Sequence, residues 1–223
     1  CVFQTKDAES YFSKRTQNKS KIILNPVHPV FFQIERSKET SNIITVGRLF
    51  KQKNHKLLID SFNLIQRKIP NEDLVIYGEG PLRKDLEQYV AELDLSNRVF
   101  LPGQISNVAD AMAKASVFVL SSDYEGLPNA LMEAMTVGVP VISTDCPCGG
   151  PRSLIQNSSQ GELVPCGDAQ QMANALFRLL SNREYRNDMS THERARAKQF
   201  HPTVICGEWE KFIIDVYFGR NTP

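Results

Sequence analysis

No stretch of eighteen apolar residues occurs in the 223-residue chain, so no membrane-spanning helix is expected from it. The chain carries 26 Lys and Arg against 25 Asp and Glu, and this near-balance excludes a nucleic-acid binder that works by bulk electrostatics. Gly-x4-Gly-Lys-Ser/Thr is absent, which removes the P-loop nucleotidases. Gly78-x-Gly80 is followed by Pro81-Leu82-Arg83, without the third glycine that a dinucleotide fingerprint needs. Cysteine is sparse and odd in number: Cys1, Cys146, Cys148, Cys166 and Cys206. A chain this large folds without staples, so reduced thiols in a cytosolic setting are expected. Cys146-x-Cys148 with scattered His28, His55, His192 and His201 lacks zinc spacing, and no metal site is expected. Neither a repeat nor a low-complexity linker is present.

What is there is alternation. Short apolar runs predict strands at 43–47, 73–77, 98–101, 117–121, 139–143 and 161–164. Helical patterns fall between them at 54–69, 81–93, 107–115, 128–137 and 150–157, with 169–181, 183–198 and 202–218 after the last strand. Such βα repetition predicts an α/β fold, a doubly wound parallel sheet with helices on both faces. Trp209, Phe212, Ile213 and Tyr217 recur at helical spacing in the last element and read as packing residues.

Two clusters carry chemistry. Glu125-Gly126-Leu127-Pro128-Asn129-Ala130-Leu131-Met132-Glu133 brackets a turn that opens a helix, with Pro128 placed at the first helical position. The amides that follow lack intrahelical partners, so this helix start suits an anion such as phosphate. Asn129 and Glu133 share one face, and Glu125 sits in the loop before them. Carboxylates repel phosphate, so Glu125 and Glu133 suit hydroxyls at the two ends of a ligand whose middle is a diphosphate. That description fits a nucleotide sugar; an ordinary charge bias at a helix N-terminus is the competing reading. In the second cluster a strand ends at Gly47 and a loop with Arg48, Lys51 and Lys53 follows, at the end of a strand where open α/β sheets bind ligands. Arg48 and Lys53 converging on a pyrophosphate would neutralise a leaving group; a solvated basic loop is the alternative.

These residues resemble the retaining family 4 glycosyltransferases of GT-B fold. The resemblance covers about residues 22 to 215 and rests on Gly47-Arg48-Leu49 with Lys53, Gly78-Glu79-Gly80-Pro81-Leu82, Phe100-Leu101-Pro102-Gly103, the Glu125 to Glu133 run and Gly138-Val139-Pro140-Val141-Ile142. It implies a Rossmann-like half of a GT-B enzyme that binds the donor. It also implies that Arg48 and Lys53 contact the donor diphosphate, Glu133 the ribose and Glu125 the sugar. Gly47, Gly126, Leu127, Asn129, Ala130 and Leu131 would line the donor, largely through backbone groups. The loop Gly103-Gln104-Ile105-Ser106-Asn107 would receive the nucleobase, with Ile105 against it. The segment from Ser143 through Gly149-Gly150-Pro151-Arg152 is similar to relatives that build bacterial surface and carrier-linked glycans. Those relatives often have an acidic residue where this chain has Ser153.

The resemblance divides the chain into a remnant of an amino-terminal acceptor domain and linker (1–30), a nucleotide-sugar domain (31–201) and a helix crossing back toward the first domain (202–223). The expected reaction is transfer of a hexosyl or acetylhexosaminyl group, with retention, from a nucleoside diphosphate sugar to a glycan or lipid-linked acceptor. Uridine diphosphate comes first among the donors and guanosine diphosphate second. The expected setting is bacterial surface polysaccharide synthesis such as capsule or lipopolysaccharide. No cofactor or metal is called for, and no nucleic-acid partner. A cytoplasmic location is expected, with peripheral association of the full-length protein at the inner face of the membrane. Without the facing domain, the fragment is expected to bind donor and not turn it over. A GT-B-shaped nucleotide-sugar epimerase and a non-catalytic nucleotide-sugar-binding module are the competing functions.

Overall fold

The computed structural model describes residues 1–36 and 42–219. At the amino terminus β1 (Val2–Phe3) and β2 (Lys21–Ile22) pair in parallel around the short helices α1 (Lys6–Ser10) and α2 (Lys14–Gln17). After the one-turn α3 (Val30–Gln33) come β3 (Asn42–Val46), α4 (His55–Ile65), β4 (Asp73–Tyr77), α5 (Arg83–Glu92), β5 (Val99–Gly103) and α6 (Val108–Lys114). The second half runs β6 (Val117–Leu120), α7 (Asn129–Val137), β7 (Val141–Thr144), α8 (Gly150–Leu154), β8 (Glu162–Val164), α9 (Ala169–Ser181), α10 (Arg183–Ala197) and α11 (Pro202–Tyr217). The main sheet has six parallel strands in the order β5-β4-β3-β6-β7-β8. This is the doubly wound α/β sheet that the alternation predicts.

Strand periodicity builds two cores, one on each face. Ile43, Leu74, Ile76, Val117, Val119 and Ile142 pack with α4, α5 and α9. Their sequence neighbours Ile44, Val75, Phe118, Leu120 and Val141 pack with α6 and α7 on the other face. Both faces being covered, the strands read as continuous apolar runs. Phe31 and Phe200 join the second core, and Val27 donates its amide to the Phe200 carbonyl at 2.9 Å, tying both flanks of the sheet domain together.

Several boundaries differ from the sequence expectation; the helix expected over 54–69, for one, stops at Ile65. The strand expected at 139–143 begins at Val141, because Gly138 (φ 78°) closes α7 and the Val139 amide still bonds back to Ala134. The helix expected over 150–157 stops at Leu154, where Ile155 turns extended and stays buried. Pro128 caps α7 from outside its first turn (φ −77°, ψ 101°) rather than occupying its first position. Of the segment 202–223, the last four residues lie outside the described residues; α11 buries Ile205 and leaves Trp209, Ile213 and Tyr217 exposed. Among the described residues no helix is long and apolar enough to cross a membrane.

Candidate active site

The chain leaves β3 outward to β4 and β5, then returns to β6 on the other side of β3, so the crevice outside the ends of β3 and β6 is the switch point of the sheet. Both chemistry-bearing loops emerge there. The loop after β3 carries Gly47 to Lys53, and the loop after β6 carries Ser121 to Leu127. Backbone and side-chain bonds zip them together: Ser121 donates to the Lys53 carbonyl (2.8 Å), the Asp123 amide to the Gln52 carbonyl (2.9 Å) and Asn54 to the Asp123 carboxylate (2.7 Å). Asn54 holds its place with a left-handed backbone (φ 41°), and its side chain accepts from the Leu57 amide to cap α4.

Inside this seam the Lys53 ammonium lies 2.5 Å from a Glu125 carboxylate oxygen. Ser122 donates to the same oxygen at 2.6 Å, and Glu125 is only 7% exposed. Its backbone is fixed as well, since its amide donates to Pro147 O (2.6 Å) and its carbonyl accepts from the Cys148 amide (2.9 Å). Gly150 permits this clasp, because a Cβ there would lie 1.9 Å from the Gly126 carbonyl. Ser153, whose place is often acidic in the resembling sequences, spends its hydroxyl on the Gly149 carbonyl at 2.8 Å.

Beside the Glu125 loop stands the start of α7. No side chain caps it, and the amides of Asn129 and Ala130 have no backbone acceptor among the described residues. Two bare donors and the positive end of a nine-residue helix thus face the crevice. Leu127 and Leu131 are buried beneath the turn, and Asn129 accepts from Asn25 at 2.9 Å. Glu133, one turn further, is half-buried and makes no hydrogen bond among the described residues. Burial pushes its carboxyl pKa up.

On the other side of the crevice a cavity of about 420 Å³ opens between the ends of β3, β4 and β5 and the start of α6. Gly47, Arg48, Tyr77, Gly78 and Ile105 line it, together with Val46, Glu79, Gln104 and Val108. Arg48 is exposed, with its guanidinium over the Phe50 ring at 5.1 Å. The glycines of the Gly78-x-Gly80 turn serve packing: a Cβ on Gly78 (φ 150°) would fall 1.8 Å from the Gly47 carbonyl, and one on Gly80 2.5 Å from that of Leu49. Gln104 and Ile105 have backbone amides and carbonyls without backbone partners among the described residues.

The structure therefore brings together Lys53 and Glu125 directly, and gathers Gly47, Arg48 and Ile105 at the cavity. Glu125 and Glu133 do not line that cavity. Sequence reasoning did not find Ser122, Gln52, Asn54 or Tyr77. Asn54 just before an apolar helical run carries the signal of a helix cap, whereas the other three have none. His55, also unpredicted, is buried with Nε2 3.3 Å from the Arg48 carbonyl; burial lowers its pKa to about 4, so it is neutral near pH 7. No group of three or more His, Cys, Asp or Glu is arranged to hold a metal ion among the described residues.

A six-stranded parallel, doubly wound domain with a cation–carboxylate seam at its switch point and an open helix start beside it has the fold of one half of a GT-B protein. Residues 29–196 match the family model for glycosyl transferases group 1, and the chain belongs to that family. It is 36% identical over 163 residues to an uncharacterised glycosyltransferase of Methanocaldococcus jannaschii, covering 66% of this chain and 38% of the relative. It is 30% identical over 213 residues to a Campylobacter jejuni α-1,4-N-acetyl-D-galactosaminyltransferase named for an undecaprenol-diphosphate-linked glycan, covering 94% of this chain and 58% of the relative. Among solved structures, Anabaena HepE in complex with UDP superposes with a TM-score of 0.87 at 19% identity, covering 96% of this chain and 63% of that one. The chain spans about half the length of the curated relatives it matches.

Proposed function

We propose that this chain is the donor-binding half of a retaining glycosyltransferase that takes a uridine diphosphate sugar and serves a lipid-linked or polysaccharide acceptor in surface glycan synthesis. The observation that carries the reading is the Lys53–Glu125 seam at the switch point, set between a cavity large enough to admit a nucleobase and a helix start with free amides. The base enters the cavity against Ile105, the ribose diol reaches Glu133, and the diphosphate lies along Arg48, Lys53 and the Asn129 and Ala130 amides. The sugar then meets Glu125 and the Gly126 backbone. In the reaction the bond from the anomeric carbon to the diphosphate oxygen breaks and its electron pair leaves with the diphosphate. The acceptor oxygen bonds to that carbon on the same face, and its proton passes to the departing diphosphate or to water. Arg48, Lys53 and the helix amides meet the charge that builds on the leaving group, already oriented before the step begins. The family membership, the UDP held by the superposed HepE and the undecaprenol-diphosphate glycan in the name of the Campylobacter relative all support this reading.

The test is calorimetry and thermal unfolding with UDP, GDP, CDP, ADP and the UDP-sugars. A UDP-sugar at about 100 times its dissociation constant should stabilise the chain by about 2.7 kcal/mol. Failure of every nucleoside diphosphate and nucleotide sugar to bind would defeat the proposal.

A further inference from the structure

The candidate cavity holds a polar group that none of the donor contacts above uses. Tyr77 ends β4 and, like Val46 and Val108, packs against the edge of the second core while remaining part of the cavity wall. Its hydroxyl has no hydrogen-bond partner among the described residues, and the ring is half-buried. A phenol in that position can donate one bond and accept one. Glu79, at the rim, offers no such freedom. Both its oxygens are taken by Arg83, at 3.0 and 2.8 Å, and Arg83 is itself fixed to the Leu101 carbonyl at 2.9 Å.

These two facts discriminate between bases. Guanine presents two adjacent N–H donors on its pairing edge, which an unengaged carboxylate meets best, whereas each Glu79 oxygen already accepts a bond from Arg83. Uracil presents an imide, one N–H between two carbonyls, which suits single neutral donors and acceptors. The Tyr77 hydroxyl and the unpaired Ile105 backbone are of that kind. A site built to hydrogen-bond its ligand rejects an analogue that leaves its polar groups unpaired more strongly than an apolar pocket does.

Resting on the reading of this cavity as the donor's base site, we infer that Tyr77 is a specificity-determining residue whose hydroxyl meets the imide edge of uracil and sets the preference for UDP over GDP.

The experiment is titration calorimetry of the chain with UDP, GDP and the diphosphate of 3-methyluridine, which lacks the imide N–H. The variants are Tyr77→Phe, Tyr77→Val and Ile105→Trp, each checked for folding by its thermal midpoint. Wild type should prefer UDP over GDP. Tyr77→Phe keeps the ring packing, and should weaken UDP by about three- to tenfold, the range of one neutral hydrogen bond, while leaving GDP unchanged. The same substitution should change the 3-methyl compound little, because the partner is already lost. Tyr77→Val should contract the UDP to GDP ratio at least as far. A wild-type preference for GDP, or an unchanged ratio in both Tyr77 variants, overturns the inference. Ile105→Trp separates the two levels: it fills the cavity and should abolish both nucleotides. If it binds UDP as wild type does, the donor-site reading itself fails; if it loses UDP while the Tyr77 variants keep the wild-type ratio, only the role of Tyr77 is wrong.

Discussion

Lys53 and Glu125, 72 positions apart in sequence, meet at 2.5 Å across the seam between the loops that follow β3 and β6. Their side chains are 17% and 8% exposed, so the pair is largely withdrawn from water. In such surroundings, removing one partner leaves the other charge poorly solvated, and that residual cost exceeds the net worth of the pair. Lys53→Met should therefore destabilise the chain by about 2–3 kcal/mol, somewhat below the range for a wholly dry pair. The double variant Lys53→Met with Glu125→Leu should recover more than half of that loss. Urea unfolding of wild type, Lys53→Met, Glu125→Leu and the double variant measures it; additive losses would show that the two groups do not act as a pair.

How much of this was legible in the sequence follows from the range of the interactions. Val117 to Leu120 reads as a strand because the apolar run is too short for a helix and rich in β-branched and aromatic residues, and all four residues are indeed buried. Ile155 misled because its apolar side chain continues the helical pattern, although the backbone has already turned extended to carry it into the core. The site's two loops were readable as separate motifs, each with its own local logic of glycine, cation or helix start. Their junction was not. Nothing in the spacing of Lys53 and Glu125 says that they touch, since that depends on β3 and β6 being neighbours at the switch point.

Glu133 tests the assignment of the ribose. Its carboxyl is half-buried, raised in pKa by that burial and without a bonding partner among the described residues. A diol that donates to it would gain a charge-assisted bond of about 1.5–3 kcal/mol. Glu133→Ala should then weaken UDP by roughly ten- to hundredfold in calorimetry, with little change in the thermal midpoint of the free chain. Because the raised pKa disfavours the carboxylate, UDP affinity in wild type should also begin to fall at a higher pH than an ordinary glutamate would give. An unchanged affinity in the folded variant would remove Glu133 from the site.

His55 predicts a pH dependence of stability with a definite sign. Its pKa falls from 6.5 to about 4 on folding, chiefly through burial, with the bond to the Arg48 carbonyl acting in the opposite direction. Below pH 6.5 the unfolded chain takes up a proton that the folded chain refuses. This contribution to stability is therefore complete above that pH and is lost as the pH falls toward about 4, approaching about 3 kcal/mol there. His55→Phe removes the group, so the stability difference between variant and wild type should shift in the variant's favour across that window. Denaturant midpoints at pH 7.5, 6 and 4.5 would show this, and parallel curves for the two proteins would exclude it.

Gly78 joins the fold to the site through backbone alone. The β3 loop that carries Arg48 lies against the β4 turn so closely that a Cβ on Gly78 would come 1.8 Å from the Gly47 carbonyl, and the φ of 150° is itself unfavourable for any other residue. Leu49 donates its amide to the Glu79 carbonyl at 2.9 Å and accepts from Leu82 at 3.1 Å, so the two loops cannot separate without losing these bonds. Gly78→Ala should destabilise the chain by on the order of 3 kcal/mol, combining backbone strain and steric overlap. It should also weaken UDP binding in whatever fraction stays folded, because relief of the clash moves Gly47 and Arg48 at the cavity wall. Gly207→Ala is the control: no atom beyond its own stretch of helix lies within 4 Å of a Cβ there, and a residue inside α11 gains helix propensity from the exchange. Thermal unfolding of the two variants beside wild type should give a loss for the first and no loss for the second. Equal midpoints for Gly78→Ala and wild type would mean that the loops have room the close approach denies them.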